Sequence, residues 1–350
     1  MRRRTGLRRK ATLCSHGISE MNAEIISRAR GCLMGLAVGD ALGGPTEGKS
    51  PLEIGKKWGR VTGFLRDDQT GSDDTEYALF NAGLLLTHGP RLSAAIIADH
   101  WITEIAGASN TFAGAGFSEM LAIRNLREGL LPPESGRHCH SWSDGLAMRV
   151  APFGIVAAGC PDIAARLAQM DGSVTNAGEG IYSGQAVAAA VAAAMAGASA
   201  ASVIEAARGV IPADSWTRRG IDRALRVASA NTDIWSALPL LHGEIANPAY
   251  HWSDLGPEAV ALAFGIFVAS RGVLKDAVLG GVNIGRDTDT IAGIVGAILG
   301  AQQGSGAIPA EWGARVSTAK GVCLAAVRGV RIEETADRLA AMAGAWEGEP

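Results

Sequence analysis

The sequence has few aromatic residues, and this lack already narrows the class of fold. Aromatic side chains make up 5% of the 350 residues, whereas hydrophobic residues reach 47% and glycine occurs 46 times. β-Sandwiches and barrels draw on aromatic and β-branched side chains, so an apolar fraction dominated by Ala, Val, Leu and Ile favours closely packed helices. The same apolar fraction excludes a chain that is disordered throughout.

Cysteine is also scarce, and its pattern excludes two kinds of site. The five cysteines are scattered along the chain without any Cys-x-x-Cys pair. An odd, unpaired set of this kind is neither a disulfide framework nor a thiolate zinc site, and it is typical of a reducing compartment. The basic start is not followed by the apolar segment of a secretory signal. We therefore expect a cytoplasmic protein.

A long hydrophobic run that could cross a membrane is missing as well. Residues 186–201 contain 11 alanines, but Gln185 and Glu205 bound the segment. Alanine is only weakly apolar, and the segment is shorter than the ~20 strongly apolar residues of a membrane span. It predicts a buried helix, and no membrane partner is expected.

The charge is distributed unevenly along the chain. The formal net charge is −3, yet residues 1–10 carry six cations, and the remainder holds 26 cations against 35 anions. A mildly acidic body does not favour nucleic acid as a partner, although the basic arm alone leaves that alternative open. Because the arm has no apolar periodicity, we predict a disordered leader over residues 1–20 and a single domain over residues 21–350.

Apolar residues recur at helical spacing through most of the chain, for example at Ile25, Ala29 and Leu33. Gly89-Pro90 predicts a helix end, and Pro257 predicts a first-turn proline. No run of alternating strands and no repeat of 20–50 residues is present. The pattern predicts an all-α, single-domain bundle of many helices.

Two short acidic segments stand out on a chain with only 19% charged residues. One is Ser72-Asp73-Asp74-Thr75-Glu76, and the other is Asp287-Thr288-Asp289-Thr290. Helix capping explains a single Asp or Thr at a helix start, but it does not explain four aspartates in two such places. Carboxylate and hydroxyl oxygens together suit Mg²⁺, Mn²⁺ or Ca²⁺ and disfavour zinc. Glu47, on a Gly/Pro-rich loop, is free to reach the same site.

Four motifs, in this order, resemble the ADP-ribosylglycohydrolase family of DraG-like hydrolases. They are GCLMGLAVGDALGGPTEG at 31–48, SDDTE at 72–76, DGLAMRVAPFGI at 144–155 and GRDTDTIAGIVGAILGA at 285–301. The resemblance covers about residues 25–300, and the last motif is the most specific. It implies an all-α fold with two Mg²⁺ or Mn²⁺ ions in a cleft.

The resemblance also implies roles for individual residues. The metal ligands would be Ser72, Asp73, Asp74, Asp287, Asp289 and Thr290. Glu47 matches the mobile acidic residue of the family and would act as general acid or base, with Asp73 or Asp289 sharing the metal and water duties. The substrate-binding residues would be Asp144, Gly145, Met148, Arg149 and Asn176. For Arg149, a buried structural ion pair is an equally good alternative.

Two positions depart from the family pattern. Asp144 stands where relatives usually have Asn, and Asn176 stands where they often have His. Both changes weaken a site for pyrophosphate, because one adds a negative charge and the other removes a cation. The resemblance as a whole still implies a metal-dependent hydrolase of ADP-ribosylated proteins or small ADP-ribosyl compounds. An N-riboside hydrolase and a non-catalytic ADP-ribose-binding relative remain alternatives.

Overall fold

The computed structural model describes residues 6–108 and 116–346, with side chains from residue 23 onward. Among these residues there is no β-strand, only isolated bridges such as Lys49 with Arg286. The α-helices are α1 Gly6–Gly43, α2 Pro51–Trp58, α3 Asp73–His88, α4 Ala94–His100, α5 Phe117–Arg127, α6 Ala151–Val156, α7 Pro161–Thr175, α8 Glu179–Met195, α9 Ala200–Gly209, α10 Trp216–Ser229, α11 Ile234–Ile245, α12 Gly256–Ala269, α13 Leu274–Asn283, α14 Thr288–Gln303, α15 Ala310–Val316 and α16 Ile332–Ala340. The predicted all-α fold is confirmed.

Helices α1 and α14 run antiparallel along a line of glycines, which we call the glycine seam. A Cβ atom added at Gly35 would lie 2.1 Å from the carbonyl oxygen of Gly296, and one added at Gly31 would lie 2.3 Å from that of Gly300. Only glycine allows two helix backbones to approach so closely. The α1 glycines of the seam are Gly31, Gly35, Gly39 and Gly43.

The glycine seam positions the candidate site. At its far end, a Cβ atom on Gly43 would lie 2.4 Å from the Cα atom of Asp289. The C-terminal end of α1 therefore meets the N-terminal end of α14. The start of α3 completes this junction, since Asp40 in α1 accepts hydrogen bonds from Ser72 and Thr75.

Helices α8, α12 and α14 form much of the buried core. In α8, the side chains from Ser183 to Met195 are buried, as the alanine-rich segment predicts, although the helix ends at Met195. No helix among the described residues is both long enough and apolar enough to cross a bilayer.

The sequence signals for helix ends agree with the structure at two positions. Helix α3 ends at His88, just before Gly89-Pro90, and Pro257 lies in the first turn of α12. Helix α1 begins at Gly6 and so includes most of the segment for which we predict a disordered leader. The division into a leader and one domain stays a prediction.

Candidate metal centre

Carboxylate groups from three helix ends converge into two close groups. Asp40, Asp74 and Asp289 each offer an oxygen within 4.8 Å of the others, and Glu47, Asp287 and Asp289 do the same. Asp289 belongs to both groups, so its carboxylate lies between them. Three of these five residues, Asp74, Asp287 and Asp289, are predicted metal ligands, whereas Asp73, which is also a predicted ligand, lies outside both close groups.

Asp40 holds the start of α3 in place. Its carboxylate accepts hydrogen bonds from the Ser72 amide (2.7 Å), the Ser72 hydroxyl (2.6 Å), the Thr75 amide (3.0 Å) and the Thr75 hydroxyl (2.5 Å). A carboxylate at a helix start satisfies amide groups that have no partner within the helix. Asp40 therefore aligns the residues that follow Ser72, including Asp74.

Two hydroxyl groups predicted as ligands donate their protons to carboxylates. The Ser72 hydroxyl donates to Asp40, and the Thr290 hydroxyl donates to Asp74 over 3.0 Å. A hydroxyl that donates its proton keeps lone pairs that can face a cation. Thr288, by contrast, donates to the carbonyl of Gly43 and accepts from Thr46, so it has a structural role at the end of the seam.

Burial and mutual repulsion raise the pKa values of these carboxyl groups. Burial raises the pKa of Asp73 to about 8, helped by the charges of Asp40 and Glu47. Burial also raises the pKa of Asp74 and of Asp289 well above the ordinary value, and in each case a neighbouring aspartate adds to the effect. Crowded acidic groups of this kind either keep protons or bind cations.

The residues present fit a divalent cation. The Oδ1 atom of Asp289 is buried and has no hydrogen-bond partner among the described residues. A buried oxygen without a partner is costly, and a cation would satisfy it. The surrounding donors are carboxylate and hydroxyl oxygens, which is the chemistry of Mg²⁺ or Mn²⁺ sites.

A cavity of about 410 Å³ opens beside the two close groups. Glu47, Asp73 and Asp254 line its acidic side. Burial raises the pKa of Asp254 to about 6, and the charge of Glu119 adds to this. Phe117 and Trp252 form the aromatic part of its lining, with their ring centroids 5.1 Å apart. The cavity therefore joins an acidic wall to an aromatic wall.

Of the five predicted substrate-binding residues, Asp144 lies against the carboxylate cluster. Its side chain forms a hydrogen bond with Asp287, and its Oδ2 atom is buried without a hydrogen-bond partner among the described residues. Burial raises its pKa well above the ordinary value. Asp144 thus adds a further carboxyl group to the centre that the motifs predict.

The other four predicted substrate-binding residues are enclosed by protein. Arg149 is fully buried and pairs with Glu119 (2.6 Å) and Asp171 (2.8 Å), as the ion-pair alternative expects. The Asn176 amide donates to two backbone carbonyls. Met148 belongs to the hydrophobic core, and a Cβ atom on Gly145 would lie 2.2 Å from Glu119. Their substrate-binding roles stay predictions.

Sequence reasoning missed three residues of this region. Asp40 was quoted within a motif but received no role, although a single aspartate inside the apolar stretch 36–42 is a usable signal. Asp254 and Trp252 lie outside every motif, and only the fold brings them to the cavity. Phe117, which also lines the cavity, lies outside every motif as well.

The fold and the site define an all-helical protein whose carboxylate-lined cleft has the donors for divalent cations. Comparison with known proteins gives the family. Residues 21–349 match the family described as ADP-ribosylglycohydrolase, and the chain belongs to that family. The resemblance drawn from the four motifs is thereby confirmed.

Two similar proteins agree with this assignment. An uncharacterised protein of Archaeoglobus fulgidus is 32% identical over 294 residues, which cover 81% of this chain and 89% of that protein. A solved structure described as an "ADP-ribosylglycohydrolase-related protein complex" has a TM-score of 0.63 and 24% identity, and covers 91% of this chain and 99% of that one. At this identity the second likeness supports the fold alone.

Proposed function

We propose that the protein is a hydrolase that requires divalent metal ions and cleaves the glycosidic bond of ADP-ribosylated substrates. The observation that carries the proposal is the position of Asp289, which belongs to both close carboxylate groups and has a buried Oδ1 atom without a hydrogen-bond partner among the described residues. Asp74 and Asp40 lie on one side of it, and Glu47 and Asp287 lie on the other. Family membership supports the glycosidase class.

The ligand set of the proposed centre combines carboxylates and hydroxyls. When bound, two Mg²⁺ or Mn²⁺ ions would neutralise the carboxylates, orient a water molecule and lower its pKa. Asp74, Asp287 and Asp289 would hold them, with Ser72 and Thr290 as neutral oxygen donors. Asp73, outside the close groups, faces the cavity and can hold a proton, because its pKa lies at about 8.

Glu47 has the position expected of a proton-transfer residue. It is exposed at the mouth of the cavity, and its carboxyl group forms a hydrogen bond with Asp289. Loss of solvent around the carboxyl group and the charge of Asp40 raise its pKa, which favours the protonated form that a general acid needs. Positive charge develops at the anomeric carbon as the glycosidic bond breaks, and the acidic wall would stabilise it.

A smaller N-riboside is the second candidate substrate. Arg149 and Asn176 are fully engaged within the protein and offer no donor to a pyrophosphate. Asp144 adds a carboxyl group next to Asp287, and in its ionised form this group would repel phosphate oxygens. A protein that binds ADP-ribose without cleaving it is a weaker candidate, because none of the carboxylates expected to hold the metal ions is missing.

The test is a substrate panel measured with Mg²⁺ and with EDTA. It would contain ADP-ribosyl-arginine, ADP-ribosyl-serine, an ADP-ribose ester and simple N-ribosides, with Asp289→Asn as the control. We expect hydrolysis of an ADP-ribosyl compound that EDTA and Asp289→Asn both abolish. Hydrolysis of N-ribosides alone would favour the second candidate, and Asp144→Asn should then shift kcat/KM towards the ADP-ribosyl form. Turnover unaffected by EDTA would refute metal dependence.

A further inference from the structure

The connection between α11 and α12, residues 246–255, forms one wall of the cavity and has few bonds of its own. It carries Trp252 and Asp254, which both line the cavity. Within it, the Tyr250 amide donates to the Asn247 carbonyl, and the Leu255 amide donates to the Ser253 carbonyl. A segment with so few internal hydrogen bonds depends on other parts of the protein for its position. We call it the 246–255 loop.

Arg286 supplies three hydrogen bonds of that external support, beside the ring contacts of Trp252 with Phe117 and His140 and the hydrogen bond from the Asp144 amide to the Asp254 carbonyl. Its guanidinium group donates to the carbonyl oxygens of Trp252 (2.8 Å), Tyr250 (3.1 Å) and Asn247 (3.5 Å). The same group pairs with Glu258 at 2.5 Å, and the Glu258 side chain is only 1% exposed. Glu258 in turn accepts from the Asn247 amide. The Nε atom of Arg286 bonds Glu258 while its Nη2 atom bonds the loop carbonyls, and the single nitrogen of a lysine cannot occupy both positions at once.

The backbone of Arg286 connects the loop to the metal centre. Arg286 precedes Asp287 directly, and its amide donates to the Lys49 carbonyl while its carbonyl accepts from the Gly48 amide. These bonds fix the segment that carries Glu47. Arg286 also adopts a positive φ of 68°, a conformation that non-glycine residues rarely take. Arg286 thus contacts the 246–255 loop, Glu258 in α12 and the segment Gly48-Lys49.

We propose that Arg286 is a positioning residue that holds the 246–255 loop, and with it Trp252 and Asp254, against the metal centre, and so sets the affinity for the part of the substrate beyond the reacting sugar. The proposal rests on the proposed function for its substrate, but the position of the loop can be measured without any substrate. Arg286 also lines the cavity, but its Nε and Nη2 atoms are engaged by Glu258 and the loop carbonyls, so we assign it a positioning role and not a role in proton transfer.

Arg286→Gly is the best variant for the test, because glycine tolerates the positive φ and only the side chain is lost. The chain offers a matched control in Arg271, which also has a positive φ, of 51°, but is exposed outside the cleft. Three quantities would be compared in full-length wild type, Arg286→Gly and Arg271→Gly. They are hydrogen exchange of residues 246–255, the shift of the unfolding midpoint with Mn²⁺, and KM and kcat on the substrate found in the panel.

In Arg286→Gly we expect exchange in the loop to be faster by about tenfold, the equivalent of ~1.4 kcal/mol. KM should rise by a similar factor, while kcat and the Mn²⁺ shift stay close to those of Arg271→Gly. Loop exchange and KM equal to those of the control would overturn the proposal. A lost Mn²⁺ shift with unchanged loop exchange would also overturn it, because Arg286 would then act through Asp287.

A milder variant covers the case in which Arg286→Gly does not fold. Arg286→Lys keeps a positive charge for Glu258 but cannot reach all three loop carbonyls, so the loop should again exchange faster than in wild type. Wild-type exchange in Arg286→Lys would refute the role of the guanidinium fork. If no substrate is hydrolysed by the wild type, the proposed function fails, and the exchange data still decide the role of Arg286.

Discussion

Replacing one glycine of the seam between α1 and α14 should loosen a site that lies about two helical turns away. In Gly35→Ala the new Cβ atom would start 2.1 Å from the carbonyl oxygen of Gly296. Ordinary contacts between such atoms need ~3.3 Å, so the helices must separate by roughly 1 Å, because neither backbone can move aside alone. Overpacking of this kind costs about 1–3 kcal/mol, and the better helix propensity of alanine offsets up to ~1 kcal/mol.

The matched control is Gly83→Ala in the exposed face of α3. Nothing lies within 4 Å of a Cβ atom there, so only the helix propensity changes, and the free energy of unfolding should rise by about 0.5–1 kcal/mol. Urea denaturation of both variants, with and without Mn²⁺, measures the difference. Gly35→Ala should be less stable than wild type, and Mn²⁺ should stabilise it less, because Asp289 lies at the end of the same seam.

Two results would refute this reasoning. If Gly35→Ala gains stability as Gly83→Ala does, the close approach of α1 and α14 is not as tight as the structure has it. If Gly35→Ala loses stability but keeps the full effect of Mn²⁺, the spacing of the helices does not control the carboxylate groups.

Three further predictions concern the carboxyl groups themselves. Mn²⁺ should raise the unfolding midpoint more at about pH 8.5 than at about pH 5.5, since burial raises the pKa of Asp74 and of Asp289 well above the ordinary value and protons compete with the cation for these ligands. In the metal-free protein, the folded state keeps a proton on Asp73 that the unfolded state has released, so its stability should fall as the pH rises from the ordinary Asp value of ~4 towards 8. Equal Mn²⁺ effects at both pH values would contradict the prediction of proton competition. Asp289→Asn should lose most of the Mn²⁺ effect in calorimetry, whereas Asp99→Asn, at an exposed position of α4, should keep it. Glu47→Gln should keep the Mn²⁺ effect and lose kcat by about 100-fold or more, and loss of both would make Glu47 an essential ligand instead.

The fold class was predictable from the sequence because helical periodicity is a local signal. Helix ends at Gly89-Pro90 and the first-turn Pro257 follow from the same local chemistry. Each of these inferences depends on residues within a few positions of one another.

The acidic residues of the close groups could be found because they fall in short motifs at helix starts. The rest of the cavity could not, since Asp254 and Trp252 reach it through the 246–255 loop, whose position depends on residues distant in sequence such as Arg286. For Arg149, the sequence alone could not decide between two roles. Its motif position indicated a substrate contact or an ion pair equally, and only the burial of Glu119 and Asp171 beside it favours the ion pair.

The two halves of the carboxylate cluster come from distant parts of the chain. The hydrogen bond from Thr290 to Asp74 joins residues 216 positions apart. If the proposed cations bind, each one that bridges Asp74 and Asp289 acts as a removable cross-link between the first and last thirds of the chain. Closing so long a loop by a disulfide is worth ~5 kcal/mol in the chain-entropy account, but a cation can dissociate and a disulfide cannot. The lifetime of the folded chain would then follow the free concentration of a divalent ion.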